Sequence, residues 1–267
     1  MRSLFLCCFV VTVSCAREVE KLPDVQQVPA RAAPSVVSRT SLGKDAVGVT
    51  IDASGQRFVW VRGSGLHQVT PSGLVLTLSA STLGLNPPDF EDVAIIDSNR
   101  VALIARNEGA VVGLSNGQLL NRFCYLPEDV QQQDPSAWQI SRALAYDAKE
   151  NRLYVQPQTF TGFGSLTGSQ LGMFDPAIST PLEWQPFGES TFTAGGMAVA
   201  SRERTYLGVG NRLYVYNATT RGFDDWFELS GLVTSIEGLA LDRQAGTILV
   251  LDGPTQELVE LRLDGMQ

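Results

Sequence analysis

Histidine is nearly absent from this sequence, which contains only His67. One histidine cannot form the clusters that bind zinc or iron in many enzymes, nor the histidine pairs used in acid–base catalysis. Neither the phosphate-binding loop G-x-x-x-x-G-K-[ST] nor a dinucleotide fingerprint at the start of a helix occurs, which argues against nucleotide-dependent enzymes. We expect His67 to be a partly exposed strand residue.

One G-x-S-x-G sequence, the nucleophile motif of α/β-hydrolases, runs from Gly113 to Gly117. That motif requires a strand-to-helix turn with an acid and a histidine downstream, but His67 precedes it. The pair Asn116-Gly117 instead favours a β-hairpin turn. We therefore assign no catalytic residue from these motifs.

Cysteine is also scarce, and three of the four cysteines, Cys7, Cys8 and Cys15, lie in the first 15 residues. Only Cys124 is left in the body of the chain, so an intrachain disulfide and a cysteine-based zinc site are excluded there. We expect Cys124 to be a small buried hydrophobic residue.

Basic residues are outnumbered, with 20 Lys and Arg against 28 Asp and Glu. Removal of residues 1–15 would take away Arg2 and no acid, leaving 28 acidic against 19 basic residues. Nucleic-acid binding depends on clustered basic side chains that neutralise phosphates. The composition therefore predicts that nucleic acid is not a partner.

No apolar run is long enough to span a bilayer comfortably, and the longest, Leu4 to Val13, follows Met1-Arg2 as in a secretory signal. It ends at Val13-Ser14-Cys15-Ala16, which resembles a bacterial lipobox, although Thr12 stands where Leu is usual. The resemblance implies a signal peptide over 1–15, a lipid anchor on Cys15 and a place in the bacterial cell envelope. Ala16 is not the Asp that retains many such proteins at the inner membrane, so outer-membrane sorting is implied. A cleavable signal without a lipid is the alternative.

Residues 16–33 mix charges with Pro, Gln and Ala without an apolar period, which predicts a flexible tether that holds a domain over 34–267 away from the membrane. Within that domain five similar hexapeptides recur. They begin at Val47, Glu91, Arg142, Gly195 and Glu237, so their spacings are 44, 51, 53 and 42 residues. A period of this length with several β-rich runs per unit is typical of β-propellers.

The repeats predict an all-β fold, a five-bladed β-propeller with four antiparallel strands in each blade. Glycine and alanine in the first strand suit the crowded axis, whereas Trp184 and Trp226 in fourth strands suit the wide outer part. The last unit supplies three strands, and Ser35 to Leu42 is expected to complete it as an outer strand that closes the ring. Six blades would result if 126–140 or 156–170 held a further hairpin, and a lone β-sandwich is the simpler alternative.

In a propeller, the connections that enter the first strands lie on the same face as those between second and third strands. The five opening positions would therefore surround the mouth of the central channel, where Glu91, Asp92, Arg142 and Glu237 would meet. Long connections from Leu126 to Ile140 and from Gln156 to Gln170 reach the same rim, as recognition loops often do. The other connections on this face add Arg62, Arg106 and Asp252 to the predicted ligand-binding residues.

The phrases Asp89-Phe90-Glu91-Asp92-Val93-Ala94 and Ser235-Ile236-Glu237-Gly238-Leu239-Ala240 resemble blade openings of secreted propellers in the SdiA-regulated, esterase-like phytase and NHL-related group. In such relatives, acids at these positions often coordinate Ca²⁺ or face substrate. The resemblance implies Glu91, Asp92 and Glu237 as metal ligands, although three acids fall short of the six to eight oxygens that Ca²⁺ takes. A Glu–Arg–Glu network across the channel is the other interpretation.

Two functions are consistent with these features. The favoured one is a non-catalytic binding or scaffold module of the cell envelope, whose partner is an envelope protein, a glycan or a small ligand. The alternative is a calcium-dependent hydrolase or lactonase of the phytase-like or gluconolactonase-like type. No cofactor other than Ca²⁺ is expected.

Overall fold

A computed structural model describes residues 21–23, 30–83, 90–105, 108–124, 136, 138–160, 166–188 and 190–263. Within these residues the chain forms five four-stranded antiparallel sheets, and no helix is long and apolar enough to cross a membrane. The predicted signal peptide, Cys15 and Arg106 lie outside the described residues.

Each of the first two blades is formed by four strands that are consecutive in the chain. Blade 1 contains β2 (Ala46–Ile51), β3 (Arg57–Val61), β4 (Gly65–Thr70) and β5 (Gly73–Ser79), followed by a 3₁₀ turn over Ala80–Thr82. Blade 2 contains β6 (Asp92–Ile95), β7 (Arg100–Ile104), β8 (Glu108–Gly113) and β9 (Leu119–Cys124).

The next two blades have the same order of strands. Blade 3 contains β10 (Trp138–Asp147), β11 (Arg152–Phe160), β12 (Leu166–Phe174) and β13 (Pro181–Pro186), and its first three strands are the longest in the molecule. Blade 4 contains β14 (Gly196–Ser201), β15 (Arg204–Val209), β16 (Arg212–Asn217) and β17 (Gly222–Glu228).

Blade 5 is assembled from both ends of the domain. It contains β18 (Ile236–Asp242), β19 (Thr247–Asp252) and β20 (Glu257–Arg262), and β1 (Ser35–Ser41) is its outermost strand. Strand β1 pairs antiparallel with β20, from Ser35 opposite Arg262 to Ser41 opposite Glu257. The predicted closure by an N-terminal strand is confirmed.

The number of blades is also confirmed. The five predicted opening strands are β2, β6, β10, β14 and β18, and each contacts the next around the ring. The six-bladed alternative is wrong, because the described residues form five sheets, and 138–140, 156–160 and 166–170 belong to the long strands of blade 3.

The core is divided into five apolar clusters, one at each interface between neighbouring blades. Each cluster takes side chains from the facing sides of two sheets; Trp60 of blade 1, for example, meets Phe90 edge-on with ring centroids 5.5 Å apart. Trp184 and Trp226 lie on the fourth strands as predicted and pack against such clusters. Burial between sheets is therefore what holds the ring together.

Aspartates lie at equivalent places at the end of three inner strands, as the last residue of β10 and β18 and directly after β2. The Oδ1 atoms of Asp52, Asp147 and Asp242 each accept a hydrogen bond from the backbone N–H two residues later. This arrangement stabilises the tight turn into the second strand. These turns lie on the face opposite the predicted channel mouth.

Three predictions about single residues have different outcomes. The G-x-S-x-G sequence forms a hairpin turn, in which Gly117 has a φ of +67°. His67 lies in β4 but is buried, with 3% exposure, and its Nε2 is 2.9 Å from the Ser64 hydroxyl, so the expectation of partial exposure is wrong. Burial lowers the pKa of His67, and the charge of Lys44 lowers it further.

Cys124 is exposed at the end of the outermost strand β9, so the expected burial is wrong.

Candidate functional site

Charged side chains from three blades meet on the face where the inner strands begin, which we call the channel mouth. Arg62, in the turn between β3 and β4, has one guanidinium nitrogen 3.4 Å from Glu91 and another 3.4 Å from Asp45. The Nε atom of Arg142 lies 4.0 Å from the same Glu91 carboxylate. Three of the predicted residues are thus brought together. Asp45, one residue before β2, was missed, although a carboxylate directly before an opening strand was a usable signal.

Glu237 belongs to the same mouth but is bound differently. Its side chain packs against Gly253 in the turn between β19 and β20. A Cβ atom added to Gly253 would lie only 2.6 Å from the Glu237 Cγ. Within the described residues, no basic group lies within ion-pair distance of its carboxylate. Burial raises the pKa of Glu237; Arg142 and Arg62 act to lower it, and Asp45 and Glu91 to raise it. The carboxyl group is therefore near both arginines without being neutralised by direct contact.

Asp92 lies directly inside the mouth and has no solvent-exposed surface. One carboxylate oxygen accepts the N–H of Val93 at 2.8 Å, and the other accepts the N–H of Leu144 in the inner strand of blade 3, also at 2.8 Å. Burial raises the pKa of Asp92 well above its usual range against the opposing effect of these two N–H groups. Through these two hydrogen bonds the carboxyl group of Asp92 links blade 2 to blade 3. The role of Asp92 as a ligand stays a prediction.

Neighbouring inner strands approach each other closely at the level of Asp92. A Cβ on Gly48 would lie 2.9 Å from the Asp92 Cα, and one on Gly196 would lie 2.6 Å from the Gly238 carbonyl carbon. Neighbouring inner strands therefore touch backbone to backbone where the repeats carry glycine. We call this close packing of the inner strands the constriction.

A second opening lies on the opposite face and was not predicted from the sequence. It is a cavity of about 200 Å³ whose walls come from the later residues of all five inner strands, including Val49, Ile95 and Met197. Arg243 borders it and donates hydrogen bonds to the carbonyl oxygens of Val199 and Ala200 at 2.8 and 2.7 Å. The sequence did not predict this cavity, because the apolar residues that line it also form the core and follow the same alternating pattern.

Of the remaining predicted ligand-binding residues, Asp252 makes hydrogen bonds within the fold and Arg106 lies outside the described residues. Asp252 is buried and accepts hydrogen bonds from the N–H groups of Thr234 and Ser235 and from the Thr255 hydroxyl, which fixes the connection into blade 5. Among the described residues, no group of three or more His, Cys, Asp or Glu side chains is arranged to hold a metal ion. The calcium site therefore stays a prediction.

The long strands of blade 3 extend beyond the mouth. Near the end of the β10–β11 pair, Trp138 and Phe160 stack with ring centroids 4.3 Å apart and planes 10° apart. Below them, the Gln156 side chain accepts the N–H of Ala194 and donates to the carbonyl of Phe192. This blade forms a wall on one side of the mouth.

No protein-family model matches the sequence, and no curated protein matches it. Solved structures do match: the glutaminyl cyclase of Myxococcus xanthus is 16% identical over 88% of this chain and 98% of that chain, with a TM-score of 0.62. The hydrazine synthase of Kuenenia stuttgartiensis is 9% identical over 81% of this chain and 71% of that chain, with a TM-score of 0.53. The fold is a β-propeller. At such identities the likeness carries no activity, and the narrower resemblance to phytase-like and NHL-related propellers stays a prediction.

The carboxyl group of Asp92 predicts an unusual pH dependence of stability. Because its pKa is higher in the folded protein than the value of about 4 in the unfolded chain, the folded state binds the proton more tightly. Its contribution to the free energy of unfolding is therefore greatest below about pH 4 and falls as pH rises through the folded pKa. In Asp92→Asn this fall should be absent. Urea denaturation of both proteins at a series of pH values measures the difference, and parallel profiles would contradict the assignment.

Proposed function

We propose that the protein is a lipid-anchored propeller of the bacterial cell envelope, sorted to the outer membrane, that binds a ligand at its channel mouth without catalysing a reaction. The observation that carries this proposal is the convergence of Arg62, Glu91, Arg142 and Glu237 from four blades onto one opening. A rigid scaffold that presents polar groups from several loops is a common design for recognition.

The arrangement of charges indicates the chemistry of the ligand. Arg62 and Arg142 both lie beside Glu91, so their charges are partly satisfied within the mouth. Glu237 remains available as a hydrogen-bond acceptor among the described residues. A ligand that donates hydrogen bonds, such as a glycan hydroxyl or an amine of a small ligand or envelope protein, would complete this site.

Neutralising the mouth should abolish binding. We expect the triple variant Glu91→Gln, Arg142→Gln, Glu237→Gln to lose the partners that the wild-type chain recovers from envelope extracts in pull-downs. For an identified ligand, Glu237→Gln alone should weaken affinity by about tenfold or more, because hydrogen bonds to charged groups contribute about 1.5–3 kcal/mol.

The matched control is the double variant Lys149→Gln, Glu203→Gln, whose two exposed residues lie in turns of the opposite face. It should keep every partner. If the triple variant also keeps every partner, the channel mouth is the wrong surface. If only the control loses them, binding takes place at the opposite face.

An enzymatic function is the second candidate, and the state of Glu237 favours it. A partly buried carboxyl group with a raised pKa near two arginines keeps its proton to a higher pH than an ordinary glutamate does, which suits a general acid or base. The glutaminyl cyclase among the similar structures is an enzyme, so cyclisation of glutaminyl peptides is one activity to assay. Hydrolysis of esters and lactones is the other, and Glu237→Gln should abolish either one.

The metal-dependent form of this candidate has its own test. If Glu91, Asp92 and Glu237 bind calcium, titration of the soluble domain with Ca²⁺ should release or absorb heat and raise the melting temperature, because a ligand that binds only the folded state stabilises it. Glu91→Gln should remove both effects. The absence of heat at millimolar Ca²⁺, with an unchanged melting temperature, would eliminate the calcium-dependent hydrolase.

A further inference from the structure

The predicted tether contacts the propeller at two places within the described residues. Lys21 and Thr191 exchange two backbone hydrogen bonds of 2.9 and 2.8 Å, and the Lys21 N–H is also 3.0 Å from the Thr191 hydroxyl. Pro23 is buried. Thr191 belongs to the connection from β13 to β14, which lies on the mouth face.

A second attachment follows ten residues later along the chain. The Arg31 N–H donates to the carbonyl oxygen of Trp226 at 2.9 Å, and its Nε atom is 2.6 Å from the Asp225 carboxylate. Asp225 is largely buried, which strengthens the pairing relative to an exposed ion pair. Trp226 lies near the end of β17, where the chain turns onto the mouth face to begin blade 5. Both attachments are thus at the mouth side of the ring.

We infer that the attachments at Lys21 and Arg31 together act as a strap that holds the channel mouth, rather than the opposite face, beside the membrane. This inference rests on the proposed lipid anchor at Cys15. Six residues separate Cys15 from Lys21, which can span at most about 20 Å, whereas a free tether from Cys15 to Pro34 could span about 65 Å. The strap therefore shortens the maximum distance between the lipid anchor and the domain about threefold, and it fixes the point of attachment at the rim of the mouth.

The consequence concerns the ligand. A mouth held this close to the bilayer meets molecules displayed at the membrane surface before it meets soluble ones. The acidic chain has no electrostatic reason to approach anionic lipids, since 28 acids oppose 19 bases once residues before Cys15 are removed. The strap therefore supplies an orientation that the charge of the domain does not.

Energy transfer to a headgroup fluorophore tests the orientation in liposomes that carry the lipidated chain. Donor labels are placed at Lys44→Cys on the mouth face and at Ala245→Cys on the opposite face, each combined with Cys124→Ser. We expect at least twofold higher transfer from position 44 than from position 245. Arg31→Ala and Thr191→Pro should each reduce this ratio, and the exposed Arg262→Ala should leave it unchanged.

The outcomes separate the strap from the anchor. Mass spectrometry shows whether Cys15 carries a lipid; if it does not, both the anchor and the orientation are overturned. If the lipid is present but the two labels transfer equally, the strap is overturned and the anchor stands. Hydrogen exchange on the soluble chain 16–267 measures the strap alone: slow exchange of the Lys21 and Thr191 amides supports it, and fast exchange overturns it even where Thr191→Pro fails to fold.

Discussion

Replacement of Gly196 by alanine is expected to destabilise the propeller by about 3 kcal/mol, at the upper end of the usual cost of overpacking. The new Cβ would lie 2.6 Å from the carbonyl carbon of Gly238 and 2.6 Å from the amide nitrogen of Leu239. Both atoms belong to the backbone of the neighbouring inner strand, which cannot move aside as a flexible side chain could. The shift must spread around the ring, so the cost is large. Urea denaturation, with the slope and midpoint fitted together, measures it.

The control is Gly168→Ala in β12, where a new Cβ would meet no atom within 4 Å. Its backbone does not have a positive φ, so the substitution should change stability by no more than about 0.5 kcal/mol. Equal effects of the two substitutions would show that the inner strands are not in backbone contact at Gly196. The comparison therefore tests the close packing of the inner strands at Gly196 rather than the general sensitivity of glycine positions.

The architecture was predictable because each repeat carries the same physical requirement. An inner strand must approach its two neighbours closely, which selects Gly48, Gly196 and Gly238 at equivalent positions and makes the hexapeptides visible in the sequence. The missing fourth strand of the last unit then left only the segment before the first unit to supply it. Local composition and global closure point to the same fold.

Exposure of single residues was less predictable, because it depends on the position of a strand within its blade. His67 is on the third strand, whose two faces are both covered by neighbouring blades, so alternation does not bring it to the surface. Cys124 ends the outermost strand β9, where most residues remain accessible. Strand order within the blade, rather than hydrophobicity, decided both outcomes.

The sequence predicted which residues lie at the channel mouth better than it predicted which atoms their side chains contact. Topology alone brings Glu91, Arg142 and Glu237 to one opening, whereas the direction of each side chain depends on its neighbours. Asp92 is the one charged residue at a position that carries glycine or alanine in the other four repeats, and this exception was a usable signal for its burial in the constriction. Glu237 turns toward Gly253 because that glycine leaves space for its carboxyl group.

Removal of β1 is expected to have the second large effect. The chain 43–267 lacks the strand that pairs with β20 from Glu257 to Arg262, together with the Ser38–Glu260 and Arg39–Glu257 contacts of 2.8 and 2.9 Å. Backbone hydrogen bonds contribute about 0.5–1.5 kcal/mol each, so loss of a strand of this length should cost more than about 3 kcal/mol. The exposed edge of β20 should also promote association between molecules. Thermal unfolding and light scattering measure the two effects.

The matched control is the chain 34–267, which keeps β1 and lacks the strap. It should unfold as one cooperative unit and be more stable than the chain 43–267, because its blade 5 is complete. A synthetic peptide of residues 34–42 added to the chain 43–267 should restore part of the lost stability by strand addition, and a scrambled peptide should not. If the chains 34–267 and 43–267 were equally stable, three strands would suffice for blade 5, and the apolar contacts of its inner strands would hold the ring closed without the N-terminal strand.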